Sequence, residues 1–575
     1  MTDRRWTKFY GDISQTLDYP RKSLYEVVMD TVEKMPDAVA TDFFGSTMNY
    51  RQLGRYIDRT ADMLASLGFG AGDRITISMP TSPQGVAAVY AANKLGGVAS
   101  MIHPLSPSKE VRDYLTMSKS RFALTLDAFY PVFEEARTGT ALETLILTRV
   151  SDEMPALTRI GFKITVGRKI RKVPDNADIV WWHEAMAKKH SKTEKAVVKA
   201  DDLAAILYSG GTTGTSKGIM LSNYNLVSEG MMVAKWGKMD ASGVILAILP
   251  IFHGFGLGVC INAAFMGGAK SILVPKFTPE DVAKLIRKKR PNFLVGVPTL
   301  FEALSRSPVF QKTDLSCLKA VFSGADTLPH TVKKRFDTVV KSGGGSSELQ
   351  EGYGLTEAVT AIMAMPLSEY REGSIGVPFP DMDAKIVKVD TTESLPVGEE
   401  GEICLSGPAV MLGYLDNPEE TVAVLKEHED GQVWLHTGDL GTMDEDGFFF
   451  FKQRLKRLIK SSGMNVYPSQ VEAVLHQHPA VAEACVIGIP DPEQIERVKA
   501  YVVLENQETT DVEMADELIR HCRKNLIKWS CPREVVFRDE LPKTAVGKVA
   551  FRVLLDEEIA RLKATGEYAG PEGDQ

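Results

Sequence analysis

The run Ser209-Gly210-Gly211-Thr212-Thr213-Gly214-Thr215-Ser216-Lys217-Gly218 concentrates residue types that hold an anion. Gly210, Gly211 and Gly214 let the backbone turn tightly and present several N–H groups to one ligand. Thr212 and Thr213 add hydroxyl donors, and Lys217 adds a positive charge. This is a phosphate cradle by composition, but not a Walker loop, which has Gly before its Lys and Ser/Thr after it; here Ser216 and Gly218 stand there. A mobile Gly/Thr linker is the other use of such a stretch. Further on, Glu351-Gly352-Tyr353-Gly354-Leu355-Thr356-Glu357 sets an aromatic between two glycines. A ring flanked in this way can stack flat on a base. Glu357 offers the hard oxygen that Mg²⁺ shared with nucleotide phosphates requires. The alternative is a helix N-terminal cap made by Thr356 and Glu357.

Alternating strands and helices must hold these residues. Leu53, Ile57, Leu64 and Leu67 lie near helical spacing, and Gly68-Phe69-Gly70 breaks the run. Segments 74–79, 98–102 and 122–126 read as strands, with helices at 83–95 and 108–117 between them. Such alternation predicts a parallel α/β sheet. The glycine-rich run follows an apolar strand at 203–208. Near residue 455 the composition shifts, and a compact pattern follows: helix 466–475, strands 485–489 and 499–504, helix 515–526. The fold class expected is α/β, a large N-terminal domain of layered sheets and helices (1–455) with a small mobile α+β C-terminal domain (456–575).

Composition removes several functions. The chain has 575 residues, 44% hydrophobic and 25% charged, with a net charge of −8, which disfavours a nucleic-acid binder. Six cysteines without a CxxC pair exclude a disulfide scaffold and argue against a Cys-based zinc site. No cationic start precedes an apolar stretch at the N-terminus, so a cytoplasmic protein is expected. Residues 241–269 contain no Asp, Glu, Lys or Arg, long enough to cross a bilayer. Pro250, His253, Asn262 and six glycines argue instead for a buried strand at 244–249, a turn, and a buried helix from about Gly256. Segment 159–199 holds eleven Lys/Arg and four Asp/Glu, a local +7. It reads as a solvated excursion, or as a patch for an anionic partner, either a phospholipid surface such as the inner membrane face or a phosphorylated cofactor.

The run 209–218 resembles the phosphate-binding loop of the adenylate-forming enzymes, which include acyl-CoA synthetases, peptide-synthetase adenylation domains and beetle luciferases. Further segments match in the same order: PIFHG at 250–254, SGAD at 323–326, EGYGLTE at 351–357, HTGDL at 436–440, RLKRLIKSSGMNVYP at 454–468 and LPKTAVGK at 541–548. The resemblance runs from about residue 25 to 555. Gly210, Ser216 and Gln453 depart from the usual Ser, Pro and Gly. By this resemblance, Ser209 to Gly214 and Lys217 hold phosphate, Gly324 and Ala325 line the adenine slot with Glu351 to Gly354, and Thr356 contacts phosphate. Glu357 helps to hold Mg²⁺. Asp439 accepts the ribose hydroxyls, Arg454 adds a second ribose contact, and Lys456 is the hinge.

The implied activity is an ATP- and CoA-dependent ligation of a small-molecule carboxylic acid through acyl-AMP and pyrophosphate. Lys548, Thr212 and His253 are the expected catalytic side chains. Gly463 is expected beside the pantetheine path, where lack of a side chain admits a thin thiol arm. His253, Gly254 and Gly256 border the acyl pocket; a satisfied core histidine is the alternative for His253. No acid in PIFHGFGLG would pair with a substrate amine, which disfavours amino acids. The double-Gly loop is most like that of bacterial medium- and long-chain fatty acyl-CoA synthetases, and glycines 254, 256 and 258 suit a long slot. Aryl or branched acids, a carrier-protein acceptor, and a non-catalytic scaffold are the alternatives.

Overall fold

The computed structural model describes residues 4–165, 167–209, 216–461, 464–491, 495–506, 512–544, 549–565 and 568. The chain divides into two units. One comprises Met1–Ala325, Phe336–Ala384 and Leu405–Leu435; the other comprises Asp326–Arg335, Lys385–Cys404 and His436–Gln575.

In the first unit, strands Val98–Met101, Arg74–Ser78, Phe122–Leu126, Thr144–Thr148 and Val180–Trp181 lie side by side and parallel. Leu203–Ser209 joins them parallel beside Val98–Met101, and Lys217–Ser222 pairs antiparallel outside it. Strand–helix alternation thus gives the expected sheet, because the helices Pro83–Lys94 and Ser108–Ser118 carry the chain from one parallel strand of it to the next in sequence. Pro83 opens the first of these helices, where its missing N–H costs nothing. A second sheet runs in spatial order from Leu349–Tyr353 through Ala320–Ser323, Phe293–Gly296 and Val244–Ala247 to Lys270–Leu273, all parallel. Its strands are buried, as a sheet covered on both faces requires.

The uncharged run 241–269 enters this second sheet as the strand Val244–Ala247. It then forms a π-helix over Phe255–Asn262 rather than the ordinary helix its pattern suggests, followed by an α-helical turn over Ala263–Gly267. The Ala263 N–H donates to the Gly258 carbonyl five residues back. Among the described residues, no helix is long and apolar enough to cross a membrane.

In the second unit, Val481–Asp491 and Ile495–Leu504 pair antiparallel over ten residues of the latter, and Glu534–Phe537 joins parallel. Alternate residues feed two cores. Ala484 and Val486 face the helices Pro468–His476 and Val512–Asn525, while Cys485, Ile487 and Ile489 pack with Leu554 and Leu562 of Phe551–Thr565. Lys499 crosses to that second face, buried, with Nζ 2.9 Å from Glu558 and 2.8 Å from Glu534. Burial opposes a charge on Glu558, but bonds from Arg561, Lys499 and the Tyr501 hydroxyl outweigh it and hold the carboxyl at about 2.

Glu558 therefore contributes stability that is fully present above its ordinary range near 4.5 and lost as pH falls through about 2. Replacing it (Glu558→Gln) leaves Lys499 buried with one partner fewer. The expected cost is about 3–5 kcal/mol at neutral pH, read from urea unfolding, with a shallower acid limb than in the parent chain.

Candidate active site

The strands Leu203–Ser209 and Lys217–Ser222 close at the pair Ser209 and Lys217, so both ends of the glycine-rich run are fixed opposite each other. Ser222 and Asn225 form a reciprocal capping box that starts the helix Asn223–Trp236 directly after the hairpin. Ser216, at the position where the resemblance expects Pro, shares a hydrogen bond of 3.1 Å with the Tyr114 hydroxyl. Lys217 pairs with Glu420 and holds Nζ 4.8 Å from the centroid of the Tyr414 ring. The same Tyr414 donates its hydroxyl to Glu357 Oε1 at 3.0 Å. Burial and the Glu357 carboxylate both push the Tyr414 phenol up, so it remains a donor. One tyrosine thus ties the loop lysine to the candidate metal carboxylate. The strand Gly413–Tyr414 holds it there by pairing with Ile219 and Met220.

Glu357 lies in the 3₁₀ turn Thr356–Ala358. The cap position is Leu355, with no side-chain cap bond, so Thr356 and Glu357 are not the N-terminal cap that local reading allowed. Tyr414 engages one oxygen of the half-buried carboxylate. A hard oxygen donor linked through Tyr414 to Lys217 fits Mg²⁺, which takes one or two carboxylates together with substrate phosphates.

The residues expected on the adenine side gather at the C-terminal ends of two neighbouring parallel strands, where open α/β sheets place ligands. Ser323 pairs with Glu351, putting Gly324 and Ala325 beside Gly352 and Tyr353. A Cβ on Gly324 would lie 3.2 Å from the Gly352 carbonyl and 3.3 Å from the Phe255 ring. Ala325 has φ +72°, a left-handed conformation that a residue with a Cβ adopts at a cost. Gly354 is required, because a Cβ there would sit 1.3 Å from the Thr360 oxygen.

His253 is half-buried, and its Nδ1 accepts the Phe255 N–H at 3.1 Å, which puts the proton of the neutral ring on Nε2. The neighbouring glycines do not open a slot by lacking side chains. A Cβ on Gly254 would meet the Val359 oxygen at 2.0 Å, one on Gly256 the Pro250 oxygen at 2.1 Å, and one on Gly258 Glu229 Oε2 at 2.6 Å. Close packing against backbone and one acid already fills that space. Glu229, on the helix Asn223–Trp236, is fully buried, and neither oxygen makes a hydrogen bond of good geometry. Burial pushes its carboxyl up to about 8, with the Ala361 amide opposing the shift. Cys260 of the π-helix is the other titratable group it faces, its thiol pushed up by burial and then by this acid.

The strands Val433–Met443 and Phe449–Arg454 set Asp439 and Arg454, both residues of the second unit, directly opposite each other, with Arg454 Nε 3.1 Å from Asp439 Oδ1. Asp439 is buried while Arg454 is exposed, so the two predicted ribose contacts form one pair at a strand edge. Glu402 organises the turn before them: one oxygen bonds His436 Nδ1 at 2.7 Å, and the other accepts the Gly438 N–H at 2.8 Å. Gly438 has φ +71°, which favours glycine. Lys456 is exposed in the 3₁₀ turn Leu455–Arg457. Gln453 is buried and its side-chain oxygen accepts the Ser469 N–H at 2.9 Å, satisfying a first-turn amide of Pro468–His476.

The expectations on Gly210, Gly211, Thr212, Thr213, Gly214, Gly463 and Lys548 fall outside the described residues. Residues that sequence reasoning missed are Tyr414, Glu420, Glu402 and Glu229. Glu229 alone had a local signal: it is the one charge between Lys217 and Lys235.

Residues 28–415 match the family model described as AMP-binding enzyme, and residues 470–548 match its C-terminal domain. The chain is 36% identical to a long-chain-fatty-acid–CoA ligase of Bacillus subtilis over 97% of this chain and 98% of that protein. It is 34% identical to the protein of the same name from Salmonella typhimurium, over 96% and 98%. The crystal structure of ATP-bound MatB from Rhodopseudomonas palustris superposes with a TM-score of 0.81 at 27% identity, covering 94% of this chain and 99% of that one.

The buried Glu229 predicts a pH-dependent stability. The native chain keeps a proton that the unfolded chain releases near 4.5, so stability falls as pH rises from there to about 8 and levels off above. Glu229→Gln is expected to be the more stable chain above pH 8, by up to ~5 kcal/mol, with the two converging below about pH 4.5. Urea unfolding across that range checks it; a difference independent of pH contradicts the assignment.

Proposed function

Since the chain belongs to the AMP-binding enzyme family, we propose that it is an AMP-forming acid–CoA ligase acting on medium- or long-chain fatty acids. One observation carries this reading: Tyr414 joins Lys217, at the end of the glycine-rich run, to Glu357, a carboxylate suited to a metal. A cation and a metal ligand held on one side chain suit a nucleotide polyphosphate. The names of the two relatives, both long-chain-fatty-acid–CoA ligases, support the acid class.

The acid carboxylate attacks the α-phosphorus of ATP, the bond to pyrophosphate breaks, and acyl-AMP forms. Negative charge then gathers between two anions, so catalysis is chiefly electrostatic. Lys217 and the backbone amides of 210–214 orient the phosphates, and Lys548 supplies an ammonium to the developing charge. Glu357 would hold Mg²⁺, which when bound neutralises phosphate charge. Asp439 accepts the ribose hydroxyls, with Arg454 beside it. His253, with Nε2 protonated, borders the acid. The thiol of CoA next attacks the mixed anhydride and AMP leaves. Between the two steps the part of the chain after about residue 455 turns about Lys456, withdrawing Lys548 and bringing Gly463 to the thiol. We place the enzyme in the cytoplasm, touching membranes at most peripherally through 159–199.

Lys548→Ala is expected to slow pyrophosphate-linked adenylation by roughly 10²–10³. Thioester formation from supplied acyl-AMP should stay near the parent rate. Equal loss in both half-reactions would reject the alternation about Lys456. An acid panel scored by pyrophosphate release should favour chains of about eight carbons and longer, because each buried CH₂ adds binding energy. Preference for benzoate-type acids would instead select the aryl alternative.

A further inference from the structure

The helix Ala156–Thr165 presents an apolar face that the protein does not cover. Leu157, Ile160 and Ile164 are 85%, 56% and 53% exposed. Their spacing of three and four residues places them on one face of the helix. Three large aliphatics side by side in water mark a surface that meets something else. The other side of the helix does not rest on a filled core. Phe162 lines a cavity of about 280 Å³, bounded also by Leu126, Arg149, Val150, Arg168 and Ile170. Arg159 fixes the helix start by donating from Nη2 to the Asp152 and Met154 carbonyls, at 3.0 and 3.1 Å.

Positive charge follows directly. Arg168, Lys169, Arg171 and Lys172 are exposed, and the segment 159–199 carries +7 in a chain whose net charge is −8. Among the described residues, no ion pair takes up these four charges. An aliphatic face with cations beside it complements one kind of surface, acyl chains beneath anionic headgroups. The exposed face carries no aromatic ring on which a base could stack, which sets nucleic acid aside.

We infer that the helix Ala156–Thr165 is an interfacial anchor. Leu157, Ile160 and Ile164 enter the headgroup–acyl boundary of an anionic bilayer, and Arg168, Lys169, Arg171 and Lys172 bind its phosphates. Neither element suffices alone, since stable attachment takes two signals. The anchor deepens the peripheral membrane contact proposed above and suits a fatty-acid substrate, which partitions into bilayers; vesicle binding itself does not require the ligase activity.

Flotation of the full chain tests it, with vesicles of phosphatidylcholine alone and with about 30% phosphatidylglycerol, at about 50 mM and about 500 mM salt. The chain should float with the anionic vesicles at low salt and be released at high salt. Leu157→Ser with Ile160→Ser and Ile164→Ser should lower the bound fraction at least ~10-fold, and so should Lys169→Glu with Arg171→Glu and Lys172→Glu. An unchanged thermal melt shows that either variant is folded. A single Ile160→Trp chain supplies a second reading: its emission should shift blue on anionic vesicles and be quenched by brominated lipid. Failure to float, flotation equal on neutral vesicles, or variants that float like the parent would overturn the anchor. So would a self-association abolished by the serine variant without any vesicle binding, which would assign the face to a second copy. Loss of ligase activity on every acid would leave the vesicle result standing.

Discussion

Where the segment 354–361 meets the segment 250–258, the backbones approach too closely for any side chain to intervene. A Cβ on Gly254 would lie 2.0 Å from the Val359 carbonyl oxygen. Val359 itself has φ +64°, so the chain doubles back sharply just after Glu357. That reversal is stabilised where the Met411 N–H donates to the Glu357 carbonyl at 2.8 Å and Tyr414 meets the Glu357 carboxylate. The wall proposed for the acid and the turn proposed for the nucleotide are therefore one packed object. Moving either would require main-chain displacement, because close-packed interiors do not yield a methyl's width freely.

Most of the framework could be read from local pattern. Strands 74–79, 98–102 and 122–126 differ from the observed ones by one residue or none, because parallel strands buried on both faces are short apolar runs between turn signals. Motif glycines could be recognised, but not always their use. Gly254, Gly256 and Gly258 suggest empty space in a linear reading, whereas neighbours distant in sequence occupy that space. The π-helix was hidden for a related reason. Its pattern is apolar all round, so nothing in the run distinguishes a five-residue bond from a four-residue one.

Three of the side chains that sequence reading missed, Tyr414, Glu420 and Glu402, share a different property: each acts through a partner far along the chain. Glu402 meets His436 and Gly438 some 35 residues later, and Tyr414 lies 57 residues from Glu357. A single Glu or Tyr in an ordinary surround carries no spacing signal. Gln453 makes the same point in reverse. As a departure from the expected Gly it looks like a neutral marker, yet its side chain caps a helix next to the Lys456 turn. The side chain present beside that turn serves a backbone amide that a glycine would leave without this bond.

The π-helix Phe255–Asn262 has a consequence for how related chains can differ in this wall. A π segment holds one more residue per turn-like span than an α-helix, so it is what an α-helix becomes when a residue is inserted without moving its ends. Removing one residue from 255–262 would restore four-residue bonding while Gly254 and Ala263 kept their places. Such a deletion keeps the packing only where Gly256 and Gly258 stay against Pro250 and Glu229, since no Cβ fits at either position. Length change after Gly258, not only substitution, is thus a way for this fold to reshape the surface beside His253.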